Sequence, residues 1–383
     1  MFTFAAVSAA ILALSVSSVS AAAVLDGSYT FDKIIAFGDS FSDNGNTFRL
    51  AGYPAAPYFK GRYSNGPCWV EQVANATVGI GNLTNVAYGT AYISKALLSP
   101  PLNLTAGEID VPDLTQQLQY FVGNHTANLP NPKTTLYTLS AGGSDYEYAF
   151  KQPHTKPDYK KVAGAIVAFV QALYDSPLNA TNFLVVYLPD FADLPSVKQM
   201  AANSGSQESA MLTSLHELTN YHDMVLHDGL SDLATKTPEL QIRLMDVYGL
   251  AKNSSINFKN GISPCVTLAP NATVKSTERS KDPKNVVVCE DPDSYWYWDD
   301  EQPTAAAHKM IGDLALKTLA DSSSLLTESN NWTSPAGGRG VGGNNATTQG
   351  RGSSAKSTAV AHISVLGSGL AIATAVASAF LAL

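Results

Sequence analysis

Ser40 is the residue whose type and position point most directly to chemistry. It follows a short apolar run, KIIAF at 33–37, within the stretch FGDSFSDNGN at 37–46. A serine at the turn after a buried strand exposes its hydroxyl for nucleophilic attack, while its own backbone N–H faces the oxyanion that attack creates. A serine that only caps the following helix is the structural alternative. Ser40 is therefore a candidate nucleophile.

Apolar runs and helical patterns alternate along the chain, and they must position this serine. Nearly continuous apolar runs, typical of strands buried on both faces, occupy 33–37, 135–139, 183–188 and 241–247. Helical periodicity fits 69–76, 111–122, 158–173, 207–234 and 304–320. The repeated order of strand, helix and strand predicts an α/β fold with a parallel sheet between helices. Such folds bind ligands at the carboxyl ends of their strands, where Ser40 lies.

The composition narrows the classes of function. Of 383 residues, 45 % are hydrophobic and 15 % are charged, which is typical of a globular chain with a substantial core. The formal net charge is −8 and the 24 Lys and Arg are scattered, which argues against nucleic acid as a partner. Three cysteines are too few for a disulfide scaffold. No ligand set for a metal or cofactor is evident, so we expect neither.

Both ends of the chain are typical of targeting segments. Residues 1–23 form an apolar stretch closing in small residues, which predicts a signal peptide. Residues 362–383 are again apolar and follow small residues and a polar spacer, which predicts a GPI-attachment signal anchored through Ser353. A retained membrane helix is the alternative. A stalk rich in Ser, Gly, Asn and Thr at 322–361 would separate this signal from a folded body at 27–321.

N-x-S/T sequons agree with an extracellular destination, because they accept glycans only in the secretory pathway. We therefore expect a glycoprotein at the cell surface or wall, with the membrane as a partner through its anchor. The candidate asparagines are Asn75, Asn82, Asn103, Asn124, Asn179, Asn253, Asn271, Asn331 and Asn345.

The stretch around Ser40 resembles the GDSL, or SGNH, family of serine esterases and lipases, and six further blocks continue the likeness in family order. The resemblance implies a three-layer α/β/α sandwich with a flavodoxin-like parallel sheet. The sequence is similar to fungal members of the family, which include lipases and carbohydrate acetylesterases. This similarity implies small esters or acetylated carbohydrates as substrates. The six blocks are GRYSNGPCWVEQVA at 61–74, NVAYGTA at 85–91, VPDLTQQLQYF at 111–121, LSAGGSDY at 139–146, LMDVYGL at 244–250 and YWYWDDEQPTAAAH at 295–308.

The resemblance also implies roles for single residues. Ser40 is the nucleophile and Asp299 the acid of a Ser-His-Asp triad. The family's histidine lies three residues after that aspartate, and here the position is Gln302. A neutral amide cannot accept a proton near pH 7. His308, six residues further on, is a backup base, although a histidine in that helix is more often structural.

The oxyanion positions depart from the family as well. The backbone N–H of Ser40 is retained, but the family's glycine falls on Thr90, with Gly89 one residue earlier as an alternative. The family's asparagine falls on Ser144, which keeps only a hydroxyl donor. Two interpretations follow: an ester hydrolase working through an acyl-enzyme on Ser40, or a pseudoesterase kept as a binding or structural glycoprotein.

Cysteines and aromatic residues complete the predicted site region. Related members carry a cysteine pair where Cys265 and Cys289 stand, which implies a disulfide bond. Cys68 is then expected to be a buried apolar residue. Aromatic side chains after the nucleophile either contact a sugar or acyl chain or pack within their own loop, and they are Tyr53, Tyr58, Phe59 and Tyr63.

Overall fold

Five strands, four of them in apolar runs, form the central sheet. The computed structural model describes residues 31–103, 109–152, 157–254, 258–270 and 286–326. Every strand pairs in parallel with its neighbour, in the order β2-β1-β3-β4-β5. The predicted parallel α/β fold is therefore confirmed. The strands are β1 Lys33–Gly38, β2 Leu83–Asn85, β3 Thr135–Ser140, β4 Asn182–Val186 and β5 Gln241–Met245.

Helices cover both faces of this sheet. Alternate residues of β1 enter different cores: Ile35 and Phe37 pack with α3, α5 and α7, whereas Ile34 and Ala36 pack with α2 and α9. This alternation produces three layers. The helices are α1 Asn46–Ala51, α2 Trp69–Ala76, α3 Leu114–Asn124, α4 Gly143–Lys151, α5 Tyr159–Asp175, α6 Pro195–Asn203, α7 Glu208–Lys236, α8 Val247–Ser254 and α9 Ala305–Ala320.

Four short strands support the loop before α9, and none was predicted. Strands β6 Asn260–Pro264 and β9 Tyr295–Tyr297 pair in parallel, and β7 Val266–Leu268 pairs antiparallel with β8 Val286–Val288. The N–H of Val266 donates to the carbonyl of Trp298, next to Asp299. A disulfide bond joins Cys265 to Cys289 at the base of the β7–β8 pair. These strands therefore fix the segment that carries Asp299.

Element boundaries differ from the predictions where local signals are weak. Strand β2 has only three residues, too few to show a period, and α4 follows Gly142, which suggests a loop. Helix α3 begins at Leu114, later than predicted, because the Asp113 side chain accepts the N–H of Gln116 and caps it. The body also continues beyond 321, because the N–H of Leu326 donates to the carbonyl of Ile242 in β5.

Both predicted targeting segments lie outside the described residues, as do Ser353, Asn271, Asn331 and Asn345. In the part of the chain that the structure describes, no helix combines the length and apolar character needed to cross a membrane.

Candidate active site

Ser40 lies two residues beyond the end of β1, at the carboxyl edge of the sheet, and is partly exposed. The last residue of β1, Gly38, has a φ of +142°, and a Cβ there would lie 2.2 Å from the carbonyl oxygen of Ser140. Only glycine fits this approach of β1 to β3. The chain then turns, and the N–H of Asp39 donates to the same Ser140 carbonyl at 3.2 Å.

Gln302 occupies the place of a triad base. Its Nε2 lies 3.0 Å from the Ser40 Oγ and donates a hydrogen bond to it. An amide nitrogen has no lone pair for a proton, and the amide oxygen is not basic near neutral pH. Gln302 therefore holds the nucleophile in position without being able to deprotonate it.

Asp299 is buried and anchors the loop that carries Gln302. Its Oδ1 accepts the backbone N–H groups of Glu301 at 2.9 Å and of Gln302 at 2.8 Å. Its Oδ2 accepts the hydroxyl of Tyr58 at 2.7 Å. The carboxylate thus fixes the backbone of Gln302, and it does so together with a tyrosine from the loop after the nucleophile. Tyr58 is a site residue whose contact with Asp299 the sequence did not reveal.

Thr90 keeps the backbone shape of the glycine it replaces. Its φ is +62°, a left-handed conformation that is uncommon for a β-branched residue, and the side chain is exposed. Gly89 is buried, and its N–H already donates to Asp43 Oδ2 at 2.9 Å and Thr47 Oγ1 at 2.8 Å. The alternative of Gly89 as an oxyanion donor is therefore corrected. Gly89 is glycine because a Cβ would lie about 2 Å from the Tyr63 ring.

Ser144 is the second residue of α4 and lies four residues beyond the carboxyl end of β3. Its backbone N–H belongs to the first turn, whose N–H groups have no partner within the helix. The start of α4 lies near the nucleophile's turn, since a Cβ on Gly143 would lie 4.0 Å from Asp39 Oδ2. The first turn and the helix dipole favour negative charge at this point.

Two buried carboxyl groups, those of Asp39 and Asp145, lie in the turn that carries Ser40 and in the first turn of α4. Burial raises the pKa of Asp39 to about 6 and that of Asp145 to about 7. Asp39 Oδ1 accepts the N–H of Phe41 at 3.1 Å, and Asp145 Oδ2 accepts the N–H of Ile93 at 3.1 Å. Asp39 thereby orders the turn that contains Ser40. Its position inside the Gly-Asp-Ser motif is the signal that could have indicated this role.

His308 is buried in the core, which corrects its assignment as a backup base. Its Nδ1 accepts the N–H of Trp69 at 3.2 Å, and its ring packs against Phe41 with the centroids 5.4 Å apart. Burial lowers the pKa of this imidazole to about 3. The ring satisfies an N–H in the first turn of α2 that has no partner within the helix.

Cys68 and Asp43 have partners within the protein. Cys68 is buried, its sulfur lies 3.4 Å from the Ser42 carbonyl, and burial raises the pKa of the thiol. Asp43 accepts N–H groups of Gly45 and Asn46 and closes the turn after Ser40. Among the residues described, no group of three or more His, Cys, Asp or Glu could hold a metal ion.

Several named proteins are similar in sequence to parts of this chain. It is 25 % identical over 302 residues to thermolabile hemolysin of Vibrio parahaemolyticus, covering 75 % of this chain and 63 % of the hemolysin. It is 30 % identical over 230 residues to phosphatidylcholine-sterol acyltransferase of Aeromonas hydrophila, covering 58 % and 60 %. The chain thus spans less than two thirds of these two relatives. A GDSL esterase/lipase of Arabidopsis thaliana is 24 % identical over 323 residues, covering 75 % of this chain and 88 % of the plant protein.

A family model gives the assignment. The model of the GDSL-like lipase/acylhydrolase family matches residues 34–315, a span that begins in β1 and ends in α9 and contains Ser40, Asp299 and Gln302. The chain therefore belongs to the GDSL-like lipase/acylhydrolase family.

Proposed function

We propose that this chain is a secreted, surface-anchored ester hydrolase that forms an acyl-enzyme on Ser40. Its substrates are acetyl or other short-chain esters, including acetylated carbohydrates, and it works without a cofactor. The observation that carries the proposal is the partly exposed Ser40 hydroxyl, held 3.0 Å from Gln302 at the carboxyl edge of the sheet. Secretion and anchoring are supported by the sequence of residues 1–23 and 362–383.

The chain's own groups define the chemical steps. Ser40 Oγ attacks the carbonyl carbon of the ester, and the backbone N–H groups of Ser40 and Thr90, together with the Ser144 hydroxyl, stabilise the oxyanion. Because Gln302 cannot accept the hydroxyl proton, that proton passes to water or hydroxide. The C–O bond to the alcohol breaks, the alcohol takes a proton from water, and a second water hydrolyses the acyl-serine.

Turnover is slow in this scheme. Serine enzymes that lose a triad member keep only about 10³- to 10⁴-fold acceleration over the reaction in water. Gln302 contributes one favourable contact, because its N–H donates to the oxygen that gains negative charge. We therefore expect the protein to be an active hydrolase with a low turnover rate.

Hydrolysis of p-nitrophenyl acetate and butyrate tests this proposal. Wild-type chain is expected to show weak activity that disappears in Ser40→Ala. Gln302→His restores a basic group next to Oγ and should raise kcat/KM by about 10²-fold or more. If wild type and Ser40→Ala are equally silent, the acyl-enzyme proposal is wrong.

A pseudoesterase that binds esters without cleaving them is the second candidate. It is favoured by one contact, the N–H of Gln302 that donates to Ser40 Oγ where catalysis requires an acceptor. Under this alternative, acetylated oligosaccharide protects the chain against thermal unfolding, yet no acetate is released during prolonged incubation. Gln302→His would then identify the group whose loss silenced the site.

A further inference from the structure

Four of the sequons lie at one edge of the sheet, which we name the amino edge and define by Asn75, Asn82, Asn124 and Asn179. Asn82 directly precedes β2, and Asn179 lies in the turn before β4. Asn75 and Asn124 lie in the last turns of α2 and α3. All four asparagines are exposed. Because all strands of the sheet are parallel, residues that precede strands lie opposite those that follow them.

The direction of the helices confirms that this edge is opposite to Ser40. Helix α2 starts near the nucleophile, where Cys68 Sγ lies 3.4 Å from the Ser42 carbonyl. Helix α3 also starts there, since Gln117 Nε2 donates to the Gly38 carbonyl at 2.9 Å. Their last turns therefore lie at the far edge.

The amino edge exposes large apolar side chains beside these asparagines. Ile80, between Asn75 and Asn82, is 53 % exposed. Tyr120, one turn before Asn124 on α3, is 54 % exposed. A glycan on each neighbouring asparagine would cover these side chains.

The chain also enters and leaves the body at the amino edge. The N–H of Asp32, just before β1, donates to the Thr134 carbonyl, just before β3. At the other end, α9 runs from the Ser40 edge for 16 residues, or about 24 Å. The N–H of Leu326 then donates to Ile242, near the start of β5. Leu326, the last residue that the structure describes, therefore lies on the side away from Ser40.

We propose that Asn75, Asn82, Asn124 and Asn179 carry N-linked glycans that cover the amino edge and, apart from a glycan at Asn103, leave the Ser40 edge bare. The C-terminal tether leaves from the covered edge, so Ser40 faces away from the surface that holds the chain. Its esters then come from solution or from an opposing surface. This inference rests on the secretion that forms part of the proposed function.

Asn103 lies apart from this face. It follows Pro100 and Pro101, whose carbonyls accept the hydroxyl of Tyr148 on α4, at 2.9 and 3.3 Å. A glycan on Asn103 would stand near Tyr148 on α4, the helix whose first turn contains Ser144. The test proteins therefore carry Asn103→Gln, so that this glycan does not affect access to the Ser40 edge.

Occupancy is the first measurement. Glycopeptide mass spectrometry of the full chain, expressed in a host with a secretory pathway, is expected to find glycan on all four asparagines of the amino edge. A secreted chain with these asparagines bare overturns this inference and leaves the proposed secretion intact. A chain retained inside the cell without any glycan overturns the secretion itself, and this inference with it.

Coverage is the second measurement, made with single introduced thiols. The chain's own cysteines do not interfere, because two are bridged and Cys68 is buried. In Ile80→Cys, removal of glycans by peptide-N-glycosidase is expected to speed the reaction with a polymer-linked maleimide several-fold. In Glu301→Cys, an exposed position beside Gln302, the rate should not change. Small N-ethylmaleimide is the control and should react equally before and after. An unchanged rate at Ile80→Cys, or an equal gain at both positions, overturns the inference.

Discussion

Gln302 gives Ser40 a hydrogen-bond donor at a point where related chemistry needs a proton acceptor. An amide does not titrate in the range where an imidazole, with a pKa of about 6.5, changes its charge. The proton of Ser40 must then go to solvent, and hydroxide becomes the base. This one residue therefore determines how the activity depends on pH.

The wild-type rate is expected to rise steadily with pH. Without an imidazole at Ser40, log kcat/KM for p-nitrophenyl butyrate should increase from about pH 6 to about pH 9. No plateau is expected above neutrality. Gln302→His should introduce a plateau above the histidine pKa. Stopped-flow or plate-reader profiles across this range check both curves. A plateau already present in wild type would show that another group acts as base.

Tyr58 affects how much Gln302→His can recover. Asp299 Oδ2 holds the Tyr58 hydroxyl at 2.7 Å, and a new imidazole at 302 must share that carboxylate. Tyr58→Phe together with Gln302→His should therefore hydrolyse faster than Gln302→His alone. Tyr58→Phe by itself serves as the control and should gain nothing.

At the scale of elements, the turn after β1 and the first turn of α4 each carry a buried acid. Asp39 and Asp145 are both raised in pKa by burial, to about 6 and about 7. In the unfolded chain an aspartate has a pKa of about 4. The folded chain thus binds more protons than the unfolded chain between about pH 4 and pH 7, so its free energy of unfolding falls as the pH rises through this window.

Replacing one of these acids should flatten that dependence. Asp39→Asn keeps an acceptor oxygen but carries no charge. We expect its free energy of unfolding to fall less between pH 4.5 and pH 8 than that of wild type, by on the order of 2 kcal/mol. Urea denaturation at the two values measures this. Asp313→Asn, on the exposed face of α9, is the matched control and should follow wild type. Parallel behaviour of Asp39→Asn and wild type would contradict the prediction.

The sequence predicted the long elements and the motif residues better than it predicted contacts. Four of the five sheet strands were visible because burial on both faces leaves a continuous apolar run. Ser40, Asp299 and Gln302 were found from motif blocks. The Tyr58–Asp299 contact spans 241 positions and the Trp69–His308 contact 239. No local pattern encodes such pairings, because they depend on how whole layers pack.

At the scale of the whole molecule, the composition change at 322 placed the end of the body a few residues early. Leu325 forms an isolated antiparallel bridge with Arg243, and Leu326 is buried with the core of α3, α5 and α7. These residues look like the start of a polar stalk in sequence, because three serines precede them. Their apolar side chains belong to the fold.

Ending the chain at residue 321 should therefore destabilise it. A protein ending at 326 keeps the burial of Leu326, worth about 1.5–3 kcal/mol for a leucine side chain. We expect the shorter protein to melt at a lower temperature by differential scanning fluorimetry, while a protein ending at 330 melts like the one ending at 326. Equal melting of all three would assign 322–326 to the stalk after all.

The short pairing at Arg243 and Leu325 has a second consequence. Strand β5 is the last strand of the sheet, and a bare strand at that position offers unpaired N–H and C=O groups to any other chain. Leu325 and Leu326 cover part of that row. Where many copies are crowded together, this cover would keep neighbouring molecules from adding strand to strand, so Leu325 and Leu326 also protect the edge of the sheet from aggregation.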